Sequence, residues 1–192
     1  MLLVFSSAPD VLRRKRMLRF QTMRINNFIL GLIAIASLAT AQDSMKDAGA
    51  GWAPEFKMAG RQIIALAEAI PADKYGWRPA PGVRSVSEAL MHTASGNYFF
   101  LRSMGVKSSE DLPKDAEKSI TAKADVIKWL KASFDAVTEN YPKIDKQAPV
   151  KFLGHDATCD GVLLRALAHA NEHLGQIIAY ARMNSVVPPW SK

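Results

Sequence analysis

Residues 163–182, LLRALAHANEHLGQIIAYAR, decide how the whole chain reads. The stretch has no proline, and its apolar residues recur at the spacing of a helix face. On a wheel of about 100° per residue, His169 and His173 fall about 40° apart, with Val162, Ala166, Gln176 and Tyr180 on the same face. The two imidazoles are therefore expected to point into a core. Asp160 or Thr158 is the expected N-cap, and the helix should run to about Met183, ahead of Val187-Pro188-Pro189.

Working outward, three more helices appear. The first spans Pro54 to Ile70, with Phe56, Ala59, Ile63, Leu66 and Ala67 on one stripe; Pro54 is tolerated in the first turn and Pro71 ends it. After the connection WRPAPGVRS (77–85), the second opens on a capping box, Ser85 with Glu88 three residues on. It continues through Leu90, His92, Ala94, Phe99 and Leu101 until Gly105 stops it. Residues 107–119, KSSEDLPKDAEKS, read as a solvated loop of mixed charge. Thr121 or Ser119 is expected to cap the third helix, whose stripe is Val126, Trp129, Leu130, Phe134 and Val137, with Tyr141-Pro142 closing it. Residues 143–158, KIDKQAPVKFLGHDAT, read as irregular, and no stretch alternates as a strand would. The expected fold is all-α, a four-helix bundle. Its loops are long for a simple up-down arrangement, and no internal repeat or low-complexity segment interrupts it.

The first 41 residues read as a signal peptide. Phe28–Leu38 (FILGLIAIASL) is an apolar run preceded by Arg24, and Ala39-Thr40-Ala41 fits a small-x-small cleavage site. That run falls short of the ~20 residues needed to span a bilayer. Cleavage after Ala41 would leave a single domain, 42–192, periplasmic or secreted and without a stable membrane anchor. A signal starting at Met23 already has every region it needs, so translation is expected to start at Met23 or Met17. The leader holds six Lys/Arg and one Asp, so removing it lowers the formal charge from +7 to +2. The basic pI of 9.6 belongs to the leader and gives no support to nucleic-acid binding. Cys159 is the only cysteine, which excludes an intrachain disulfide; a lone small residue at a helix start reads as structural.

Four histidines occur in the chain. Residues at i and i+4 of a helix have Cβ atoms roughly 6 Å apart, so His169 and His173 can share one metal ion at about 2.0–2.1 Å from each nitrogen. His92 lies on a separate amphipathic helix, flanked by Glu88 and by the small Ser95 and Gly96, which leave room for an ion and a ligand. An HxxxH pair alone arises by chance; a third histidine on a second helix makes a three-nitrogen site with an open position. His155, in a Gly-Asp loop, reads as a surface residue. The run His169-Ala-Asn-Glu172-His173 also matches H-x-x-E-H of the inverzincin peptidases. That reading fails, because no Asp or Glu follows Glu172 to serve as the third ligand.

With these residues assembled, the chain resembles the DinB/YfiT-like family of four-helix-bundle metal proteins over nearly all of 42–192. The resemblance is carried by Trp77-Arg78-Pro79-Ala80-Pro81-Gly82, Ser85-Val86, Met91-His92, Asn97-Tyr98-Phe99, and the run from His169 through Gln176-Ile177 and Tyr180-Ala181-Arg182 to Pro188-Pro189. It implies His92, His169 and His173 as ligands of a divalent metal, zinc or nickel by family habit. It also implies a metal-dependent transferase of the thiol S-transferase kind, or a hydrolase, acting on a small molecule not yet defined. The alternative is a non-catalytic helical module that binds metal or a small molecule. Related bundles often dimerise, so the resemblance admits a homodimer. No catalytic residue can be assigned from sequence: Glu88 and Glu172 are the candidate bases by position, and neither is well placed. Gln176, Asn97 and Tyr98 could orient ligands, or could equally be packing residues.

Overall fold

The computed structural model describes residues 48–107 and 112–191. The expected signal peptide, cleavage point and alternative starts lie outside the described residues. Four long helices are present: α1 Trp52–Ala69, α2 Val86–Ser103, α4 Lys123–Asn140 and α5 Cys159–Met183, with a four-residue α3, Ala116–Ser119, between the middle pair. The expected stripes are buried, apart from Trp129, which is half-buried at the edge of the core. Phe56, Ala59, Ile63, Leu66 and Ala67 of α1 meet Val126, Leu130, Phe134 and Val137 of α4, together with Val162, Ala166 and Ile177 of α5, in one apolar core.

The principal packing pairs are α1 with α4, α4 with α2, α2 with α5, and α5 with α1. Helices consecutive in sequence, α1 and α2, thus sit diagonally, as do α4 and α5. Two of the long connections, 70–85 and 141–158, have this cause: each must cross an end of the bundle, whereas α2 and α4 are neighbours. The α1–α4 crossing is close at Gly60, where a Cβ would stand 2.7 Å from Cδ1 of Phe134. Only a residue without a side chain fits against that ring.

Local signals account for most helix ends. Ser85 Oγ accepts from Glu88 N–H at 3.3 Å and Glu88 Oε2 accepts from Ser85 N–H at 2.7 Å, the capping box expected. Thr158 caps α5 by accepting from Gly161 N–H. The helix α4 departs from expectation: Ala122 is its N-cap and no side chain caps it, so neither Thr121 nor Ser119 has that role.

Two other readings need correction. Residues 143–158 are not wholly irregular, because β1 Pro149–Phe152 and β2 His155–Thr158 form an antiparallel hairpin, with Phe152 opposite His155. Its strands are too short and too exposed to show a clear alternation, so the fold is mostly helical rather than strictly all-α. The stretch 107–119 is not simply solvated: Ala116 is buried and Glu117 half-buried. On α2, Phe99 is 38% exposed, whereas its neighbour Phe100 is buried. No helix among the described residues is long and apolar enough to cross a membrane.

Candidate metal centre

The neighbouring pair α2 and α5 brings His92 onto His169 and His173. His169 Nε2 stands 3.1 Å from His173 Nε2 and 3.4 Å from His92 Nε2, and one ligand atom from each residue lies within 4.8 Å of the others. Nitrogens sharing one tetrahedral ion at about 2.0–2.1 Å stand about 3.3 Å apart. The donor set has that size, so these histidines could hold a metal ion. His155, as expected, is exposed at the hairpin and takes no part.

The outward nitrogens decide what the inward ones can be. His92 Nδ1 is 2.6 Å from Glu117 Oε1, a carboxylate oxygen that can only accept, so Nδ1 carries the proton. Nε2 of neutral His92 is then a bare lone pair. His173 Nδ1 is 2.8 Å from Gln176 Oε1. Gln176 Nε2 donates to Tyr180 Oη, which donates to the Arg84 carbonyl, so this amide presents its oxygen to His173 and fixes the same tautomer there. Two lone pairs are aimed at one point beside the Nε2 of His169. A cation there would satisfy both, and His169 Nε2 as well when the His169 proton sits on Nδ1, which is buried with no hydrogen-bond partner among the described residues.

Arg84 links the two supports. Its guanidinium donates to Glu117 Oε2 at 2.9 Å, while its carbonyl ends the chain that starts at His173. Burial alone would raise the Glu117 carboxyl, but hydrogen bonds and charge from Arg84 and His92 outweigh it and hold the group below the usual carboxylate range. His169 is 9% exposed, and burial, reinforced by the other two imidazoles, pushes it down to about 4. Burial also lowers His173, against the raising effect of its bond to Gln176. For His169 and His173, neutral imidazole, the form that ligates metal, is therefore the favoured form.

Gly96 makes the approach of α5 to α2 possible. A Cβ at residue 96 would stand 2.4 Å from Cε1 of His169, inside the ring's contact radius. Small residues beside His92 were read as room for an ion and ligand; here Gly96 is room for the second imidazole.

Neither candidate base faces the centre freely. Glu88 is held in the capping box and paired with Arg78, and Glu172 forms a two-point pair with Arg165 on the surface. Gln176 does orient a histidine, whereas Asn97 is buried against Ser133 and Tyr98 against Trp129, both as packing residues. Cys159 is buried, and burial, with the Asp145 charge, pushes its thiol up, so it is no ready nucleophile. Sequence reading missed Glu117 and Arg84. Their only signal was a carboxylate and a basic residue in loops flanking the histidine helix.

Fold and site together define a helical bundle with a three-histidine centre between α2 and α5. The DinB superfamily model matches residues 55–177, a span that contains all three histidines. The chain belongs to that superfamily. Its structure is similar to that of a DinB-like protein from Bacillus cereus, with a TM-score of 0.65 at 15% identity over 73% of this chain and 95% of that one. It is also similar to the DinB-like protein YjoA from Bacillus subtilis, with a TM-score of 0.56 at 19% identity over 70% and 91%. At such identities the likeness establishes the fold alone. No curated protein matches the chain significantly.

Proposed function

We propose that this chain is an exported metal-dependent enzyme in which His92, His169 and His173 hold one divalent ion, zinc or nickel, through Nε2. The observation that carries the reading is the enforced tautomer: Glu117 and Gln176 accept from the outward N–H groups of His92 and His173 and leave bare inward nitrogens 3.1–3.4 Å from the third. Neutral imidazoles suit zinc, nickel, copper and iron alike, so the choice of zinc or nickel rests on family membership. When bound, such an ion supplies a Lewis acid able to hold a thiolate or an ionised water.

The carboxylates favour one of these two chemistries. Hydrolysis calls for a base beside the attacking water, yet Glu88, Glu117 and Glu172 are each committed to a hydrogen-bonded partner. Transfer of a group to or from a thiol has no such requirement. A thiol S-transferase-like reaction on a small molecule is the function these residues support best. Export, with cleavage after Ala41 and residence in the periplasm or outside the cell, is part of the same proposal and rests on the leader sequence.

Metal analysis of natively purified protein is expected to give roughly one equivalent, lost in His92→Ala. Cobalt(II)-reconstituted protein should then change its visible absorption when cysteine is added. Stoichiometric metal with a spectrum indifferent to thiols would overturn the transferase reading and leave a metal-binding module. N-terminal sequencing of the secreted form should begin at Gln42.

A further inference from the structure

A cleft of about 390 Å³ opens beside the triad, within the range of small-molecule sites. His92 and His169 line its inner end, Phe99 and Phe100 of α2 one wall, and Phe152 and Leu153 of the hairpin the other. The aromatic rings form a continuous surface: Phe99 to Phe152 is 5.8 Å between centroids, Phe100 to Phe152 6.0 Å, and Phe100 to His169 5.3 Å. Apolar side chains this large beside an open space are the informative case.

Leu153 marks the cleft as more than a gap. It is 71% exposed and sits at φ 49°, with Gly154 at φ 85°, so the hairpin tip needs two left-handed residues. Asn or Gly meets that need, whereas a bulky leucine is disfavoured both by its backbone and by its exposure to water. A large side chain at such a place, beside a cleft lined by His92 and His169, points to a ligand rather than to the turn.

Charge completes the pattern. On α2, His92, Ser95, Phe99 and Arg102 follow at helical spacing and all line the cleft, spanning roughly 15 Å of helix axis. Arg165, also at the rim, is already paired with Glu172. Arg102 makes no ion pair or hydrogen bond among the described residues, and helical side chains lean toward the N-terminus, here toward the cleft. One stripe thus runs from the triad, across an apolar surface, to an unpaired guanidinium.

We infer that this cleft is the substrate subsite and takes a medium-length apolar carboxylate, with its aliphatic or aryl body on Phe99, Phe152 and Leu153, its carboxylate at Arg102, and its other end at the triad. The inference names the substrate class of the centre proposed above and rests on that reading. Octanoate and 4-phenylbutyrate, each against its neutral amide, are the probes, with binding to the full protein followed by calorimetry and metal content measured on every variant.

Both acids should bind more tightly than their amides. Phe99→Ser should weaken the acids about tenfold, the effect of losing one apolar wall. Arg102→Met should abolish the preference for acid over amide. Leu153→Asn, which suits the turn better, should raise the melting temperature while weakening both acids, a split that a purely structural leucine would not give. Metal content should stay unchanged in all three. Acids that bind no better than amides, or that bind Phe99→Ser and Leu153→Asn as well as the parent, would overturn the inference even with the metal in place. Loss of metal from the parent protein would instead strike the centre itself.

Discussion

At the scale of single residues, the centre is governed by what stands behind each imidazole. Glu117 fixes the His92 tautomer and adds negative charge, which raises the basicity of the inward nitrogen. Glu117→Gln keeps the shape but can present its amide either way round. It should weaken zinc about 10–100-fold in a chelator competition while leaving far-ultraviolet circular dichroism unchanged. His169 sets the response to acid. Its folded value of about 4 lies below the ordinary 6.5, so between those limits the unfolded chain binds more protons than the folded one. The stability of metal-free protein is therefore complete above about pH 6.5 and declines as pH falls toward 4, by at most about 3 kcal/mol. His173 is lowered too and acts in the same sense. Urea midpoints measured from pH 4 to 7.5 in the presence of chelator check this, and a flat profile would show that burial of His169 costs nothing. Convergence of the three histidines was legible because HxxxH is local and the third sits on a clear amphipathic helix. Glu117 was not, because nothing within its own loop says that His92, 25 residues earlier, would lie 2.6 Å away.

Helices and strands differ in how much they announce themselves. The start of α2 was readable because both halves of its capping box lie within four residues. That cap also fixes the direction in which Arg84, just before it, offers its carbonyl to Tyr180 and its guanidinium to Glu117. Ser85→Ala should cost about 1 kcal/mol, which for a domain of this size lowers the melting temperature by roughly 2–4 °C. Differential scanning calorimetry of the metal-free form isolates that effect from any change at the site. The hairpin was illegible for the opposite reason. Its two strands of four residues are mostly exposed, and Leu-Gly replaces the Asn-Gly that signals a tight turn. The same feature that hid the hairpin from pattern reading, a leucine where the turn disfavours one, is what draws attention to the cleft.

Across the whole molecule, the diagonal placement of α1 against α2 and of α4 against α5 makes α2 and α5 neighbours, and that adjacency creates the centre. Helical periodicity fixes which face of each helix is buried but not which helices meet, so the bundle was legible and its topology was not. The core does not depend on the centre. Phe56, Ile63, Leu90, Leu101, Leu130, Leu163 and Ile177 are fully buried in a continuous apolar cluster formed by all four long helices, and the three histidines lie at its edge. An ion bound there stabilises the fold by mass action rather than by holding it together. At a hundredfold excess over Kd that is about 2.7 kcal/mol, or some 5–10 °C in melting temperature for a domain of this size. Dialysis against chelator should lower the thermal midpoint by about that much and leave the far-ultraviolet spectrum helical, and added zinc should restore it. A chain that unfolds outright when its metal is removed would make the ion a structural brace, and the independence of the apolar core from the centre would be refuted.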